Sequence, residues 1–488
     1  MSFMNQSGDL SPFNEVVPDA AKIGGLSRSS ILTQRRRCRV VAQTGSSYGS
    51  AGSGGGNQQL QFLIADQGGL IDMRSAVLNY TIQTTGTNSV IDDGHPFTTV
   101  QVLMNGQLLD NIQNAMKLTN IEMKLGGSKS YYQGAGSFQG FELLNGDICQ
   151  ASVASGTVNT AWGDVTANLA AINARTTRAS DPKWNGIAGE TRSIPIGLMT
   201  GVGRCKTYLP IALLGELSFV LITGSPGECM FQNSNAATCN YSLTAVSLEY
   251  DVVVPDQRYM SLLQKIASDP SDAGLNIPFE SSIVTAGASI AASASALSES
   301  SVIVSRATNH LLRAAVVQIP TALVQSQAYP SQSCFGHAGL WSAQFRIGSQ
   351  VYPQVAAQGD AALFNMSMAA YGSVTQENAS VINRSLWATS SNASTAGTPA
   401  VYETAEGTTT TSVKFFYGDS CVVAYGFQTV KGDATPLEVD GVSLAGSSGS
   451  QLIASLVSAP STAYTPFVAL VALKFIKAAA GAVTVVGA

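Results

Sequence analysis

Chemistry beyond that of scattered carboxylates and hydroxyls would have to come from three histidines, seven cysteines or one run of arginines in this 488-residue chain. His95, His310 and His337 lie far apart, with no HxxxH, HExxH or mixed His/Cys spacing, so no metal-ligand set is offered and each is expected to be structural. Cys38, Cys149, Cys205, Cys229, Cys239, Cys334 and Cys421 form no CxxC pair, and their odd number argues against a complete disulfide framework. Buried thiols are expected, although Cys229 and Cys239 are close enough in sequence to close one loop. There is no GK[ST] and no GxSxG, and Gly134-Ala135-Gly136 followed by Gly140 misses the dinucleotide fingerprint by one position. The carboxylate pairs Asp92/Asp93 and Glu403/Glu406 stand in turn-like polar contexts, where solvation accounts for them better than acid–base work. No catalytic, cofactor-binding or metal-binding residue is nominated.

The arginine run is the one charge cluster. Arg35, Arg36, Arg37 and Arg39, preceded by Arg28, fall just before the first expected strand. Four arginines in five positions could meet phosphates or anionic lipid head groups, each contact weakening with salt. They could equally pair with acidic groups of a neighbouring subunit, and the sequence leaves both open.

Composition narrows the classes. The length implies two domains of roughly 200–250 residues. Charged residues are 12% of the chain, about half the usual share of ~25%, which suggests an outside largely covered by other subunits. The net charge of −5 gives no global case for nucleic-acid or membrane-surface binding. The first residues, MSFMNQSGDLSPFNE, lack a basic region followed by an apolar core, so no secretory signal and synthesis in the cytosol are expected. Residues 467–488 are the longest apolar stretch, but Lys474 and Lys477 interrupt it and Val471, Leu473 and Phe475 alternate with other residues, which fits a strand pair better than a membrane helix.

The elements that would position any site come in two similar sets. A Gly- or Ala/Ser-rich loop precedes Leu60, Phe62 and Ile64 in one half and Val302–Val304 in the other. Met73-Arg74-Ser75-Ala76-Val77 is echoed by Leu312-Arg313-Ala314-Ala315-Val316. A strand from Val100 turns at Asn105-Gly106 and continues through Leu109, and Ala343 to Tyr352 turns near Gly348-Ser349. A helix follows each hairpin, expected over residues 110–125 and 360–371 with Asp at the start and Gly at the end. Four landmarks in one order point to an internal repeat. Residues 206–223, 241–254 and 467–485 also read as strands, and Tyr259, Leu262, Leu263 and Ile266 have the spacing of a connecting helix. Many short strands with one helix per half indicate antiparallel sandwiches, with jelly rolls the natural candidate. Residues 126–192 and 373–412 are too long for ordinary connections and must project from one end.

Residues 95–112 (HPFTTVQVLMNGQLLDNI), 240–263 with 276–287, and 342–353 (SAQFRIGSQVYP) resemble the double jelly-roll major capsid proteins of polinton-like viruses, virophages and their adenovirus and tectivirus relatives. The resemblance spans nearly the whole chain and implies an all-β fold of two tandem eight-stranded jelly rolls, each with a short helix and long projecting loops. The domains would be an arm over residues 1–40, jelly rolls over 41–255 and 276–488, and a helical linker over 256–275. The resemblance also implies a structural role in the virion of a double-stranded DNA virus, as a homotrimeric pseudo-hexagonal capsomer. Its partners would be neighbouring capsomers, penton and minor capsid proteins, genome or inner membrane through the arm, and host surfaces through the loops. The rival reading is a multidomain β-sandwich adhesin or carbohydrate-binding protein, against which stand the missing signal and the scattered Trp162, Trp184, Trp341 and Trp387. A sandwich-fold glycoside hydrolase would need two opposed carboxylates, and none are nominated.

Overall fold

The computed structural model of the chain describes residues 32–49, 57–65, 68–85, 89–128, 131, 134–141, 190–232, 240–268, 274–293, 297–306, 308–325, 331–371, 382, 387, 420–428, 441–444, 451–460, 462–479 and 482–486. Strict alternation builds the strands. In Gln59–Ile64, Leu60, Phe62 and Ile64 are fully buried while the residues between them are not, as a strand with one face on a core requires. Among the described residues, eight main strands make the first sandwich: β1 (Leu32–Val41), β2 (Gln59–Ile64), β3 (Leu70–Thr85), β4 (Phe97–Met104), β5 (Gln107–Gln113), β6 (Glu190–Pro195), β7 (Leu217–Thr223) and β8 (Asn240–Pro255). They pair antiparallel in the orders β1-β8-β3-β6 and β2-β7-β4-β5, with the short strand Ser47–Gly49 also on β8.

Eight more make the second: β9 (Leu275–Ala286), β10 (Ser298–Ser305), β11 (Leu311–Pro320), β12 (Leu340–Ile347), β13 (Gln350–Gln358), β14 (Val422–Gly426), β15 (Gln451–Ser458) and β16 (Tyr464–Ala479). Their orders are β9-β16-β11-β14 and β10-β15-β12-β13, so each strand has its counterpart eight places on. In both halves the sequential order is 1-8-3-6 facing 2-7-4-5, which is the jelly-roll arrangement. The expected repeat is this duplication: Arg74 lies in β3 and Arg313 in β11, while Gln107 opens β5 and Gln350 opens β13. Asn105 and Gly106 turn the first hairpin with φ of 49° and 76°, the paired positive angles of a tight two-residue turn.

Helices follow at matching places, α1 (Ala115–Gly126) and α3 (Asp360–Ala370), with the connector α2 (Gln257–Ser268) between the halves. The first helix starts later than expected. Asp110 does not cap it but lies within β5, because that strand continues its pairing with β4 to Gln113 and Asn114, at φ 54°, then redirects the chain. Residues 206–223 are likewise not one strand: a helical turn at Ile211–Leu214, following Pro210 and ended by Gly215 at φ 84°, precedes β7. The apolar stretch from Phe467 is mainly β16, paired on one side with β9 without a break from Leu275 to Ala286 and on the other with β11. Among the described residues no helix is long and apolar enough to cross a membrane.

The length implies two domains, and the buried apolar residues of both sandwiches form one continuous cluster. The two halves are therefore packed against each other, and the surfaces that meet are the place to look for function.

Candidate functional site: an interdomain seam and an open edge strand

Helix α1 is the wedge between the halves. Eleven of its twelve residues are buried, including Lys117, Thr119, Asn120, Glu122 and Lys124, which an ordinary surface helix would turn to water. Each finds a partner, several of them in the second half. Lys117 Nζ donates to Gln332 Oε1 at 2.9 Å and stands 4.7 Å over the Phe467 ring. Burial pushes its ammonium down to about 8, with Glu228 and Asp92 opposing. Lys124 Nζ donates to Ser420 Oγ at 2.7 Å, and Asn120 Nδ2 donates to the Gln332 carbonyl at 3.2 Å. Asp92 accepts from the Gln332 amide at 2.8 Å and from the Ser333 hydroxyl. Burial raises its carboxyl, and these hydrogen bonds oppose the rise. Asp92 is thus a buried anchor between the halves, contrary to the solvated role its turn context suggested.

A second cluster joins four charges. Arg204 grips Glu122 with both guanidinium nitrogens, at 2.9 and 3.2 Å, and lies 3.7 Å from Glu280. Arg313 donates to Glu280 at 2.8 Å, lies 3.8 Å from Glu122 and stacks 4.8 Å from the Tyr371 ring. Two carboxylates alternate with two guanidiniums, one of each from either half, so charge balances across the boundary. Burial alone would raise the Glu280 carboxyl, but Arg313 and Arg204 hold it below its ordinary value. Nearby, Asp110 accepts from Ser281 at 2.9 Å and Thr200 at 3.2 Å, and burial pushes it up to about 6, moderated by Ser281 and Lys474. Gly201 closes the seam: a Cβ there would lie 1.8 Å from the Glu280 carbonyl oxygen, so only glycine lets the backbones approach this closely.

Strand β1 is the opposite case. Arg35, Arg36, Arg37 and Arg39 were expected in an arm ending at residue 40, but they lie on β1 itself, which pairs with β8 from Leu32 to Val41. The strand forms because Cys38 and Val40 pack on the core while Arg35, Arg37, Arg39 and Val41 alternate on the other side. The first sandwich therefore begins before the expected boundary at residue 41. Arg35 donates to Asp251 at 2.7 Å and Asp72 at 2.9 Å, and Arg37 reaches Asp251 at 3.0 Å and Glu249 at 3.4 Å. Burial is the largest single influence on Asp251 and pushes its carboxyl up, but the hydrogen bonds and charges of Arg35 and Arg37 together outweigh it and hold it below its ordinary value. The acids facing these arginines belong to the same chain. Arg36 and Arg39 complete the run on the exposed strand, and Arg28 lies outside the described residues. So do most of both long excursions, Cys149, Cys239 and the pair Glu403/Glu406.

The three histidines lie apart, each in its own set of contacts within the chain. His95 is fully buried, accepts from the Phe97 amide through Nδ1 at 3.3 Å and meets Thr119 Oγ1 through Nε2 at 3.0 Å, and burial lowers it to about 3. His337 Nε2 lies 2.9 Å from Asp360, and His310 sits edge-on to Phe475. Cys205, Cys229, Cys334 and Cys421 are buried free thiols. Among the described residues no three His, Cys, Asp or Glu side chains gather as a metal site.

No family model and no curated protein matches the chain. Solved structures do. PBCV-1 VP54, as fitted into a reconstruction of the virophage Sputnik, is 12% identical with a TM-score of 0.51, covering 95% of this chain and 98% of its own. A chain of the Sputnik virophage is 13% identical with a TM-score of 0.51, covering 96% and 92%. The Faustovirus major capsid protein is 8% identical with a TM-score of 0.53, covering 93% and 92%. At these identities the likeness is one of fold, and it runs through both jelly rolls.

Proposed function

We propose that this chain is the major capsid protein of an icosahedral double-stranded DNA virus, a structural subunit of the virion shell and not an enzyme. Three copies form a pseudo-hexagonal capsomer, which meets neighbouring capsomers along its sides and penton and minor capsid proteins at the vertices. The long excursions face outward, where host surfaces are met. The observation that carries this reading is the duplication: two jelly rolls of identical strand order, locked by a buried seam, in a fold shared end to end with the Faustovirus major capsid protein. Duplication has a physical use here, since a ring of three chains then presents six similar domains and can pack with six neighbours. The sparse charge fits the same reading, because large contacts between subunits hide surface that a monomer would keep charged.

Light scattering on the purified chain, followed by negative-stain imaging, tests this. The expected species has three times the 50.6 kDa chain mass and a hexagonal outline. A stable monomer at high protein concentration would overturn the capsomer.

A further inference from the structure

We propose that Lys117 and Gln332 are the two ends of a self-forming cross-link. In it the lysine amine displaces the glutamine side-chain nitrogen, and an isopeptide bond joins α1 of the first sandwich to the turn at residues 331–333 of the second. The inference concerns the single chain and holds whatever its assembly.

The lysine is the unusual member. A buried ammonium ordinarily has a carboxylate or several acceptors around it. Arg204 and Arg313 meet that need through Glu122 and Glu280. Lys117 does not. It is 2% exposed, and among the described residues the neutral Gln332 Oε1 is the one hydrogen-bond acceptor of its Nζ. A cation so placed is poorly compensated as an ion, and burial turns it toward the free amine, which is the nucleophilic form. Its value of about 8 leaves about one chain in ten with a free amine at pH 7.

The glutamine is held at each of its polar atoms. Its backbone N–H donates to Asp92 Oδ2 at 2.8 Å, and its carbonyl accepts from Asn120 Nδ2 at 3.2 Å. Its Oε1 accepts from Lys117 at 2.9 Å, and its Nε2 donates to Ser331 Oγ at 3.4 Å. Lysine can only donate, so the side-chain amide must turn its oxygen to Nζ, and the carbon to be attacked is bonded to that oxygen. Both reactants are thus fixed side by side before any reaction. Gln332 is 1% exposed and the Phe467 ring stands 4.7 Å from Nζ, so water is kept from competing.

The step balances within the chain. The Lys117 amine adds to Cδ of Gln332, forming one C–N bond, and the bond from Cδ to Nε2 breaks. The leaving nitrogen takes one proton from the adding nitrogen, by way of the Ser331 hydroxyl beside it, and departs as ammonia. Nothing is oxidised or reduced, and no co-reactant enters. The product is an uncharged secondary amide, which removes the cost of burying the ammonium.

Mass spectrometry on the full purified chain, held at about pH 8 and then denatured, tests this. The expected mass is that of the sequence less one ammonia, and proteolysis should release a branched peptide that joins the Lys117 segment to the Gln332 segment. Lys117→Met and Gln332→Glu, each checked by circular dichroism for an intact fold, should keep the full mass of their own sequences. An unmodified chain at full mass, with residues 117 and 332 recovered in separate linear peptides, overturns the proposal. So does ammonia loss without the branched peptide, or ammonia loss that persists in both variants. Should a variant fail to fold, the branched peptide of the unmodified chain decides by its presence or absence.

Discussion

Strands β1 and β9 hold the same place in the two jelly rolls, first in chain order and at the edge of the same sheet, yet one reads LTQRRRCRVV and the other LNIPFESSIVTA. The backbone pairing is alike: each runs antiparallel to the last long strand of its sandwich. The difference is what lies beyond. Strand β9 is covered by the first half, and two of its polar groups find partners across or beside that boundary, Ser281 in Asp110 and Glu280 in two arginines. Strand β1 is open in the single chain and carries arginines, a common way to keep an exposed edge from unwanted pairing. An edge strand's composition therefore reports its neighbour more than its position in the fold. The helices repeat the lesson, with α1 sunk in the seam and α3 half open.

Breaking the covered side should have the largest effect. Replacing Glu122 with Ala leaves Arg204 and Arg313 facing each other with only Glu280 between them. A loss of about 3–4 kcal/mol is expected, toward the lower end of the range for a buried pair because Arg204 keeps 33% of its side chain exposed. Chemical denaturation of the two proteins measures it, and a loss below ~1 kcal/mol would show that the cluster does not hold the seam.

The Asp110 carboxyl sharpens the same comparison through pH. Its folded value of about 6 lies above the ordinary 3.8, so the folded chain binds its proton more tightly than the unfolded chain does. The stability this contributes is full below about pH 4 and is lost as pH rises through about 6. The loss is on the order of 2–3 kcal/mol at neutral pH. In Asp110→Asn that loss is absent, so the variant should melt higher than the parent at pH 7, with the gap closing at pH 4. Parallel melting curves at the two pH values check this, and a gap that does not change with pH would remove Asp110 as its source.

The open side should respond least within a single chain. Arg37 is half exposed and its ion pairs are screened, so Arg37→Ala should cost the isolated chain less than ~1 kcal/mol. A greater loss in thermal melting of the monomer would mean that β1 is held by its charges and not by its pairing with β8.

The repeat, the hairpins and the all-β class were legible because they rest on local signals: period-two alternation, Asn105-Gly106, and landmarks recurring in order. The connector helix was legible for the same reason, from the spacing of Tyr259, Leu262, Leu263 and Ile266. Asp110 misled because an Asp before a helical pattern usually caps it, and nothing local reveals that Ser281, 171 positions away, donates to it. The arginines were visible as a cluster, but their acids come from β3 and β8, so an arm and a strand looked alike. The seam charges gave no signal at all: Glu122 and Arg204 belong together only after two sandwiches have folded and docked.

The backbone contact at Gly201 also bears on mechanics. Where a chain passes so close to the Glu280 carbonyl that no side chain fits between, and where one apolar cluster runs through both sandwiches, the described residues of the two halves are packed so that moving one against the other would break that contact. In the proposed shell, curvature would then be taken up at the joints between chains, so differences in shell radius would be written in the contacts of separate copies and leave the interior of each unchanged.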